Sequence, residues 1–236
     1  MTSSPEPSPV SLSLSSSVFE RVRLFGYWRS SSAWRVRIAL GLKGLAYDNV
    51  AVNIAPKVSA QHAADFREIN ALGQVPVLEF VGGVLDGKRL TQSVAIIELL
   101  DELVPTPALL PKDPWSKAQA RMLTEIVNAG TQPLGNLGVQ KQLKELGGDV
   151  DAWLKQVMGA GFTALETAAK QSAGRFLVGD DAGIADCFLV PQLYNARRFK
   201  VPLEAYPTLL AVEASCLEVA AFVDSHPDRM PDAVTA

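Results

Sequence analysis

Two kinds of hydrophobic spacing divide the chain into predicted strands and helices. Apolar residues that alternate with polar ones predict strands, and apolar residues that recur every three to four positions predict helices. The first half is predicted to hold a strand at 22–26, a helix at 33–43, a strand at 47–54, a helix at 59–69, a hairpin with strands at 74–81 and from Val84 onward, and a helix at 94–103. Gly44 ends the first helix, and Ser93 is expected to cap the last one. The order is βαβ followed by ββα.

Three prolines in the segment 105–112 interrupt this pattern and indicate a linker. Beyond it the spacing is helical throughout, and helices are predicted at 115–130, 151–172, 183–199 and 207–222. We therefore expect an α/β domain at residues 21–104 and an all-helical domain at residues 113–236. Residues 1–20 are rich in Ser and Pro, lack either period, and are expected to be a disordered tail.

Composition and charge exclude several classes of protein. The formal net charge is −3 and no strongly basic stripe is present, so a nucleic-acid partner is not expected. No apolar run approaches the ~20 residues that span a bilayer, so no membrane segment is expected. The chain has two histidines and two cysteines without close spacing, so we expect no metal site. Cys187 and Cys216 are expected to be buried and reduced, as in a cytosolic protein.

The tail also bears on cellular location. Its abundant serine is typical of an organelle-targeting peptide, whereas its two glutamates and the lack of any arginine before Arg21 argue against one. We therefore expect a cytoplasmic protein, with organelle targeting as the alternative.

Three consecutive serines, Ser30, Ser31 and Ser32, stand where the first strand meets the first helix. One serine suffices to cap a helix, so capping explains only one of the three. The unpaired N–H groups and the dipole of a helix N-terminus also favour an anion, and Arg35 follows nearby. A hydroxyl cluster at this point suits a small acid that must be held ionised, such as a thiol. No Gly-x-Ser-x-Gly motif is present, so a serine hydrolase is not expected.

Two further junctions of the same domain offer groups to a ligand. Val75-Pro76 precedes a hairpin strand; a cis bond there would expose the Val75 backbone to an extended ligand, whereas a trans bond carries no such consequence. Gln92-Ser93 opens the third helix and either caps it or offers a hydroxyl and N–H groups to a carboxylate. The combination of three such junctions in one domain favours a binding site.

These junctions together resemble the glutathione transferases, and within them the zeta class, the maleylacetoacetate isomerases. The resemblance covers the chain from about Leu24 to Pro231. It rests on the segments 29–40, 74–76, 92–97, 132–137, 161–166 and 198–201. It implies a thioredoxin-like N-terminal domain followed by an all-helical C-terminal domain, a homodimer, and glutathione as the cofactor.

The resemblance also assigns residues to the site. In that family the first serine of the motif hydrogen-bonds the glutathione sulfur, which corresponds to Ser30, with Ser31 and Ser32 beside it in the catalytic motif. The implied glutathione-binding residues are Ser30, Ser31, Ser32, Ala33, Trp34, Arg35, Gln61, Val75, Pro76, Gln92, Ser93, Gln132 and Asn136. Arg198, together with Arg35, is expected to hold the carboxylates of a small acidic diketo substrate.

The activity that the resemblance implies is glutathione-dependent cis–trans isomerisation. Maleylacetoacetate, or a similar diketo dicarboxylic acid, would be converted to the fumaryl form in tyrosine and phenylalanine breakdown. The chemistry consists of thiolate addition to the conjugated double bond, rotation about the resulting single bond, and elimination. The alternative is transferase or peroxidase activity toward electrophiles such as α-halo acids. A non-catalytic binding protein of the same fold is the third hypothesis, which the retained serines disfavour.

Three features depart from the family pattern. Ser32 stands where the family usually has cysteine, which argues against thiol-exchange chemistry on this chain. The connection Gly82–Arg89 is longer than expected for the class. Gly183 replaces the Ser or Thr that usually stands three residues before Asp186. Because glycine also caps helices, we expect it to cost only about a few tenths of a kcal/mol relative to serine.

Overall fold

A four-stranded mixed sheet forms the centre of the N-terminal domain. The structure is a computed structural model, and it describes residues 18–234. The strands are β1 (Arg21–Gly26), β2 (Tyr47–Ala51), β3 (Val77–Val81) and β4 (Arg89–Thr91), in the order β2-β1-β3-β4. β1 pairs parallel with β2, and β3 pairs antiparallel with both β1 and β4.

Helices complete the predicted βαβ-ββα order, which is confirmed. They are α1 (Ser31–Leu42), α2 (Ala64–Ile69) and α3 (Ser93–Leu103), with a 3₁₀ turn at Ala60–His62 before α2. The predicted helix at 59–69 is therefore two pieces, because the backbone is extended at Ala63. Every residue of α1 from Ala33 to Leu40 is at most 2% exposed, since this helix lies between the sheet and the helical domain.

The second strand of the hairpin begins later than predicted. Val84 is 79% exposed and lies in a turn, and pairing resumes only at Arg89. Gly83 has a φ of 68°, and a Cβ at this position would lie 2.6 Å from the Val18 carbonyl oxygen. The turn packs closely against Val18 at the start of the described residues. This contact holds residues 82–88 in a turn and prevents them from extending β4.

Residues 18–20 pack against the N-terminal domain, so the predicted boundary of the tail at residue 20 is too late. Phe19 is 4% exposed and packs edge-on against Phe80, with ring centroids 5.3 Å apart. The Leu85 N–H donates to the Val18 carbonyl at 3.0 Å. An apolar ring buried in this way belongs to the core. The rest of that prediction, residues 1–17, lies outside the described residues.

The C-terminal domain is helical in the residues that the structure describes, as predicted. Its helices are α4 (Pro114–Asn128), α5 (Leu137–Glu145), α6 (Val150–Ala169), α7 (Ile184–Arg198), α8 (Pro207–Cys216) and α9 (Ala220–Asp224). The sequence did not predict α5, because most of its residues are polar and none is buried. The predicted helix at 207–222 is two helices, because the backbone is extended at Val219.

The two domains share one hydrophobic core. α1 packs against α7 and α9, and α4 packs against α7 as well. Trp34 of α1 lies edge-on to Tyr194 of α7, with ring centroids 5.5 Å apart. Cys187 and Cys216 are buried and reduced in this core, as predicted. Among residues 18–234, no helix combines the length and the hydrophobicity that crossing a bilayer requires.

A buried lysine fixes the segment that joins the two domains. Lys43 follows the last residue of α1, and its side chain is 0% exposed. Its Nζ donates to Asp101 Oδ1 and to the carbonyl oxygens of Val104 and Pro107. Three acceptors match the three N–H donors of an ammonium group, so the buried charge is fully hydrogen-bonded. The predicted linker, residues 105–112, is therefore held against the N-terminal domain.

Asp186, rather than a side chain at position 183, caps α7. Its buried carboxylate accepts the N–H groups of Leu177 and Gly183, each at 2.9 Å. Burial raises the pKa of Asp186 to about 6, and the two N–H donors oppose that shift. A Cβ at position 183 would lie 2.8 Å from the Leu109 carbonyl oxygen. The expectation that serine would be slightly better here is therefore wrong, because the site has no room for a side chain.

Gly183→Ser is expected to destabilise the fold by about 1–3 kcal/mol, the usual cost of an overpacked site. Urea unfolding followed by fluorescence measures this change. Asp181→Ser is the matched control, because it alters an exposed residue of the same loop and should change the stability by less than about 0.5 kcal/mol. A Gly183→Ser variant as stable as the parent would show that the Leu109 carbonyl moves aside without cost.

Candidate active site

A cleft between the two domains contains most of the predicted glutathione residues. Its volume is about 440 Å³. The predicted residues that line it are Ser30, Ser32, Gln61, Val75, Pro76, Gln92, Ser93, Gln132 and Asn136. A larger depression of about 580 Å³ lies beside the linker and is lined by none of these residues. The cleft is therefore the candidate active site.

Ser30 caps α1 and also faces the cleft. Its Oγ accepts the Ala33 N–H at 3.2 Å, and its own N–H donates to the Tyr27 carbonyl at 2.9 Å. Capping uses a lone pair of the hydroxyl, so the O–H proton can still be donated to an anion in the cleft. The dipole of α1 adds a partial positive charge at the same point. Ser30 can therefore serve both of the roles that the sequence left open.

The rest of the serine motif divides between the cleft and the core. Ser32 lines the cleft, with a hydroxyl where the family usually has a thiol. Ser31 is 8% exposed, Ala33 and Trp34 are buried, and Trp34 Nε1 donates to Ser225 Oγ at 2.9 Å. These three side chains lie behind the wall of the cleft, because α1 packs against the helical domain. None of these three residues lines the cleft, and their contact with glutathione stays a prediction.

Val75-Pro76 and Gln92-Ser93 line the cleft at the ends of other elements. The Val75-Pro76 bond is cis, which is one of the two alternatives that the sequence left open. Gln92, not Ser93, is the N-cap of α3, and its φ of 70° is rare for a residue other than glycine. The prediction that Ser93 caps the helix is therefore wrong. The Ser93 hydroxyl instead accepts a hydrogen bond from Arg35.

Gln61 has an unsatisfied amide oxygen at the cleft. Its side chain is 8% exposed, and its Nε2 lies 3.4 Å from His62 Nε2. The Gln61 Oε1 is buried and has no hydrogen-bond partner among the described residues. A buried acceptor without a donor costs about 1–3 kcal/mol, so an N–H group of a ligand would satisfy it. A peptide cofactor offers such N–H groups.

Gln132 and Asn136 bring polar groups from the helical domain. Gln132 Nε2 donates to Asn136 Oδ1 at 2.6 Å, so the two amides form a pair. This bond leaves the amide oxygen of Gln132 and the NH₂ group of Asn136 for other partners. The helical domain thus contributes both an acceptor and donors to the wall of the cleft.

Arg35 lies behind the cleft and does not reach a substrate carboxylate. Its side chain is 1% exposed and lies over the Phe188 ring, 4.2 Å from the centroid. Its Nη1 donates to Ser93 Oγ at 3.3 Å and to Asn128 Oδ1 at 3.2 Å. Burial lowers the pKa of Arg35 to about 9, and Glu125 opposes that shift. The predicted substrate role of Arg35 is wrong, because the packing of α1 on α7 encloses it.

Arg198 remains at the surface, and the structure adds Arg29 as its neighbour. The Arg198 guanidinium lies 5.2 Å from the Phe199 ring centroid, and that of Arg29 lies 5.0 Å from the Trp28 ring centroid. Partial removal from water lowers the pKa of Arg198, and the charge of Arg29 lowers it further. Within residues 18–234 neither arginine forms an ion pair with a carboxylate. Two such cations suit an acidic ligand.

The sequence did not predict Arg29, His62 and Asn128 as site residues. A signal existed for the first two, since Arg29 directly precedes the serines and His62 directly follows Gln61. Asn128 lines the cleft from the end of α4. The helical spacing of α4 does not reveal which residue meets the other domain, so this position carried no signal.

The fold and the cleft define a two-domain protein whose interdomain cleft lies at the N-terminus of its first helix. The N-terminal domain of glutathione S-transferases matches residues 24–108, and the C-terminal domain of the same proteins matches residues 148–213. The maleylacetoacetate isomerase of Mus musculus is 43% identical over 209 residues, which cover 89% of this chain and 94% of the mouse protein.

Solved structures agree with these matches. The maleylacetoacetate isomerase from Anaeromyxobacter dehalogenans, with bound dicarboxyethyl glutathione and citrate, is 49% identical with a TM-score of 0.82 and covers 91% of this chain and 98% of its own. A maleyl pyruvate isomerase, a bacterial glutathione S-transferase in the zeta class, is 38% identical with a TM-score of 0.84 and covers 90% of this chain and 100% of its own. The chain belongs to the glutathione transferase family, and within it to the zeta class.

Proposed function

We propose that this protein is an isomerase that uses glutathione to convert a cis-diketo dicarboxylic acid, such as maleylacetoacetate, to its trans form. One observation carries the proposal: Ser30 lines the cleft at the N-terminus of α1, and the cation Arg29 directly precedes it in the same turn. A site for a thiolate and a site for carboxylates are therefore adjacent. The isomerase names of the relatives, and the acidic molecules bound to one of them, support the same reaction.

The residues of the cleft fit glutathione as the cofactor. The buried oxygen of Gln61 lacks a donor, which a peptide N–H would supply. Ser93 and the N-terminus of α3 suit a carboxylate, and the backbone of Val75 suits main-chain pairing with an extended ligand. When bound, glutathione supplies a thiolate that adds reversibly to a conjugated double bond and so permits rotation about it. The reaction then requires no nucleophile from the protein.

The protein contributes the charge state and the orientation of the reactants. The Ser30 hydroxyl and the dipole of α1 lower the pKa of a thiol from its ordinary value of about 8.5. Arg29 and Arg198 donate hydrogen bonds to the two carboxylates of the substrate and hold its double bond toward Ser30. Conjugation of an uncharged electrophile needs the lowered thiol pKa but not the arginines that hold the carboxylates.

Full conversion of maleylacetoacetate by the purified protein is expected with glutathione at about one-tenth of the substrate concentration, because isomerisation returns the cofactor. Chromatography of the trans product and of recovered glutathione measures this. S-methylglutathione, which lacks the thiol, is the matched control and should give no turnover. Conversion that stops when the glutathione is consumed would indicate a transferase instead.

We also propose a homodimer in the cytoplasm, as the resemblance implies. Light scattering at several concentrations tests the first, and fractionation of cells tests the second.

A further inference from the structure

Side chains that are distant in sequence hold the turn in front of Ser30. This turn runs from Tyr27 to Ser30. The Trp28 N–H donates to Asp232 Oδ2 at 3.0 Å, and the Trp28 carbonyl accepts a hydrogen bond from Arg37 Nη2 at 2.9 Å. Both main-chain polar groups of Trp28 are therefore bound, one to α1 and one to the far end of the chain.

The partner at the far end belongs to a segment that is itself anchored. We name residues 225–232 the C-terminal segment. The carbonyl of its first residue, Ser225, accepts a hydrogen bond from Arg37 Nε at 3.2 Å. The second carboxylate oxygen of Asp232 accepts a hydrogen bond from Asn49 Nδ2 of β2 at 3.3 Å. The segment thus connects α1, β2 and the turn before Ser30.

Charge supports this arrangement. Arg37 is 2% exposed, and its burial lowers its pKa to about 10, a shift that Tyr47 and Asp232 oppose. The Asp232 carboxylate therefore partly compensates a buried guanidinium besides accepting the Trp28 N–H. A hydrogen bond to a charged group is roughly twice as strong as one between neutral groups.

We propose that Asp232 is a positioning residue for the active site, which acts on Ser30 and Arg29 through the backbone of Trp28. The proposal rests on the proposed function, since it takes Ser30 as the partner of the glutathione sulfur. A shift of Trp28 moves Ser30 and Arg29 together, because both follow it in the same turn. The other cleft residues, such as Gln61 and Gln92, lie on separate elements and keep their places.

Asp232→Ala is therefore expected to lower the kcat of isomerisation about 10- to 100-fold, the scale of a small misplacement at a reacting centre. The pKa of the bound glutathione thiol should rise, because the displaced Ser30 hydroxyl forms a weaker hydrogen bond to the sulfur. The Kd of glutathione should change by less than about threefold, since most of its contacts lie elsewhere. Asp232→Asn keeps one oxygen that can accept the Trp28 N–H and should recover most of the activity.

Asp224→Ala is the matched control. Asp224 directly precedes the C-terminal segment, is exposed, and pairs with Arg229 rather than with Trp28 or Arg37. It should leave the thiol titration and kcat unchanged. The titration, read from the ultraviolet absorbance of the thiolate, needs glutathione alone. It tests Asp232 even if the parent protein fails to isomerise a diketo acid, a failure that would reject only the proposed function.

An Asp232→Ala variant that folds and shows the thiol titration of the parent would overturn the proposal. So would a loss of activity that follows the melting temperature alone, or an Asp232→Asn variant as weak as Asp232→Ala. If Asp232→Ala does not fold, Asn49→Ala provides the test, because it removes the hydrogen bond that orients the Asp232 carboxylate and so loosens its bond to the Trp28 N–H. That variant should show a smaller shift of the thiol pKa in the same direction, and no shift would overturn the proposal.

Discussion

Ser30→Ala is expected to raise the pKa of the glutathione thiol in the complex by about one to two units and to slow turnover at neutral pH about 10- to 150-fold. A hydrogen bond to a charged group is worth about 1.5–3 kcal/mol, and one pKa unit corresponds to about 1.4 kcal/mol. Loss of the donor destabilises only the thiolate, so the pKa rises. The deficit in rate should shrink as the pH increases. Thiolate absorbance against pH, and the pH profile of kcat, measure both effects.

Two controls separate the hydroxyl from the helix cap. Ser30→Ala also removes the acceptor of the Ala33 N–H, which costs about 1 kcal/mol of stability. Ser30→Gly loses the same hydroxyl but caps nearly as well, so it should melt close to the parent and still show the shifted titration. Ser32→Ala removes a different hydroxyl of the cleft and should leave the titration nearly unchanged. An unshifted titration in Ser30→Ala would reject Ser30 as the partner of the sulfur.

Arg198→Ala and Arg29→Ala are each expected to raise the KM for a dicarboxylic diketo acid about 10- to 150-fold, with little effect on conjugation of chlorodinitrobenzene. The estimate again follows from about 1.5–3 kcal/mol for each charge-assisted hydrogen bond. The uncharged electrophile needs only the thiolate, so it reports whether the glutathione site is intact. Paired kinetics of the two reactions on each variant provide the measurement.

Arg197→Ala is the matched control for the substrate arginines. Arg197 precedes Arg198 in α7, but its Nη1 donates to Glu213 Oε1 at 2.6 Å. Its removal should therefore lower the melting temperature and leave the ratio of the two activities unchanged. Equal losses on both substrates in Arg198→Ala would mean that Arg198 supports the fold or the glutathione site, and its assignment to the substrate would be dropped.

Many residues of the cleft are predictable from the sequence because they lie where the hydrophobic spacing changes from one secondary-structure element to the next. Ser30, Val75 and Gln92 each stand where one element gives way to the next, and such junctions are visible in hydrophobic spacing. The structure brings these three positions to one cleft. The order of strands and helices is predictable for the same reason, since it depends on local spacing.

Tertiary contacts decided what the sequence could not predict. Arg35 looks like a substrate ligand in its motif, but its partners Ser93 and Asn128 are 58 and 93 residues away. The apolar residues at 84–85 predict a strand, but the contact of this segment with Val18 holds it in a turn. No local rule contains either contact, so the burial of Arg35 and the late start of β4 required the folded chain.

The hydrogen bonds from Lys43 to the linker should affect the rate at which ligands enter the cleft. Since the ammonium group holds carbonyl oxygens of Val104 and Pro107, the two walls of the cleft are joined by a fixed segment. The cleft is therefore preformed, and ligand binding does not require a movement of one domain toward the other. The association rate of an acidic substrate should then be governed by diffusion and by the attraction of Arg29 and Arg198. Such a rate falls as salt is added.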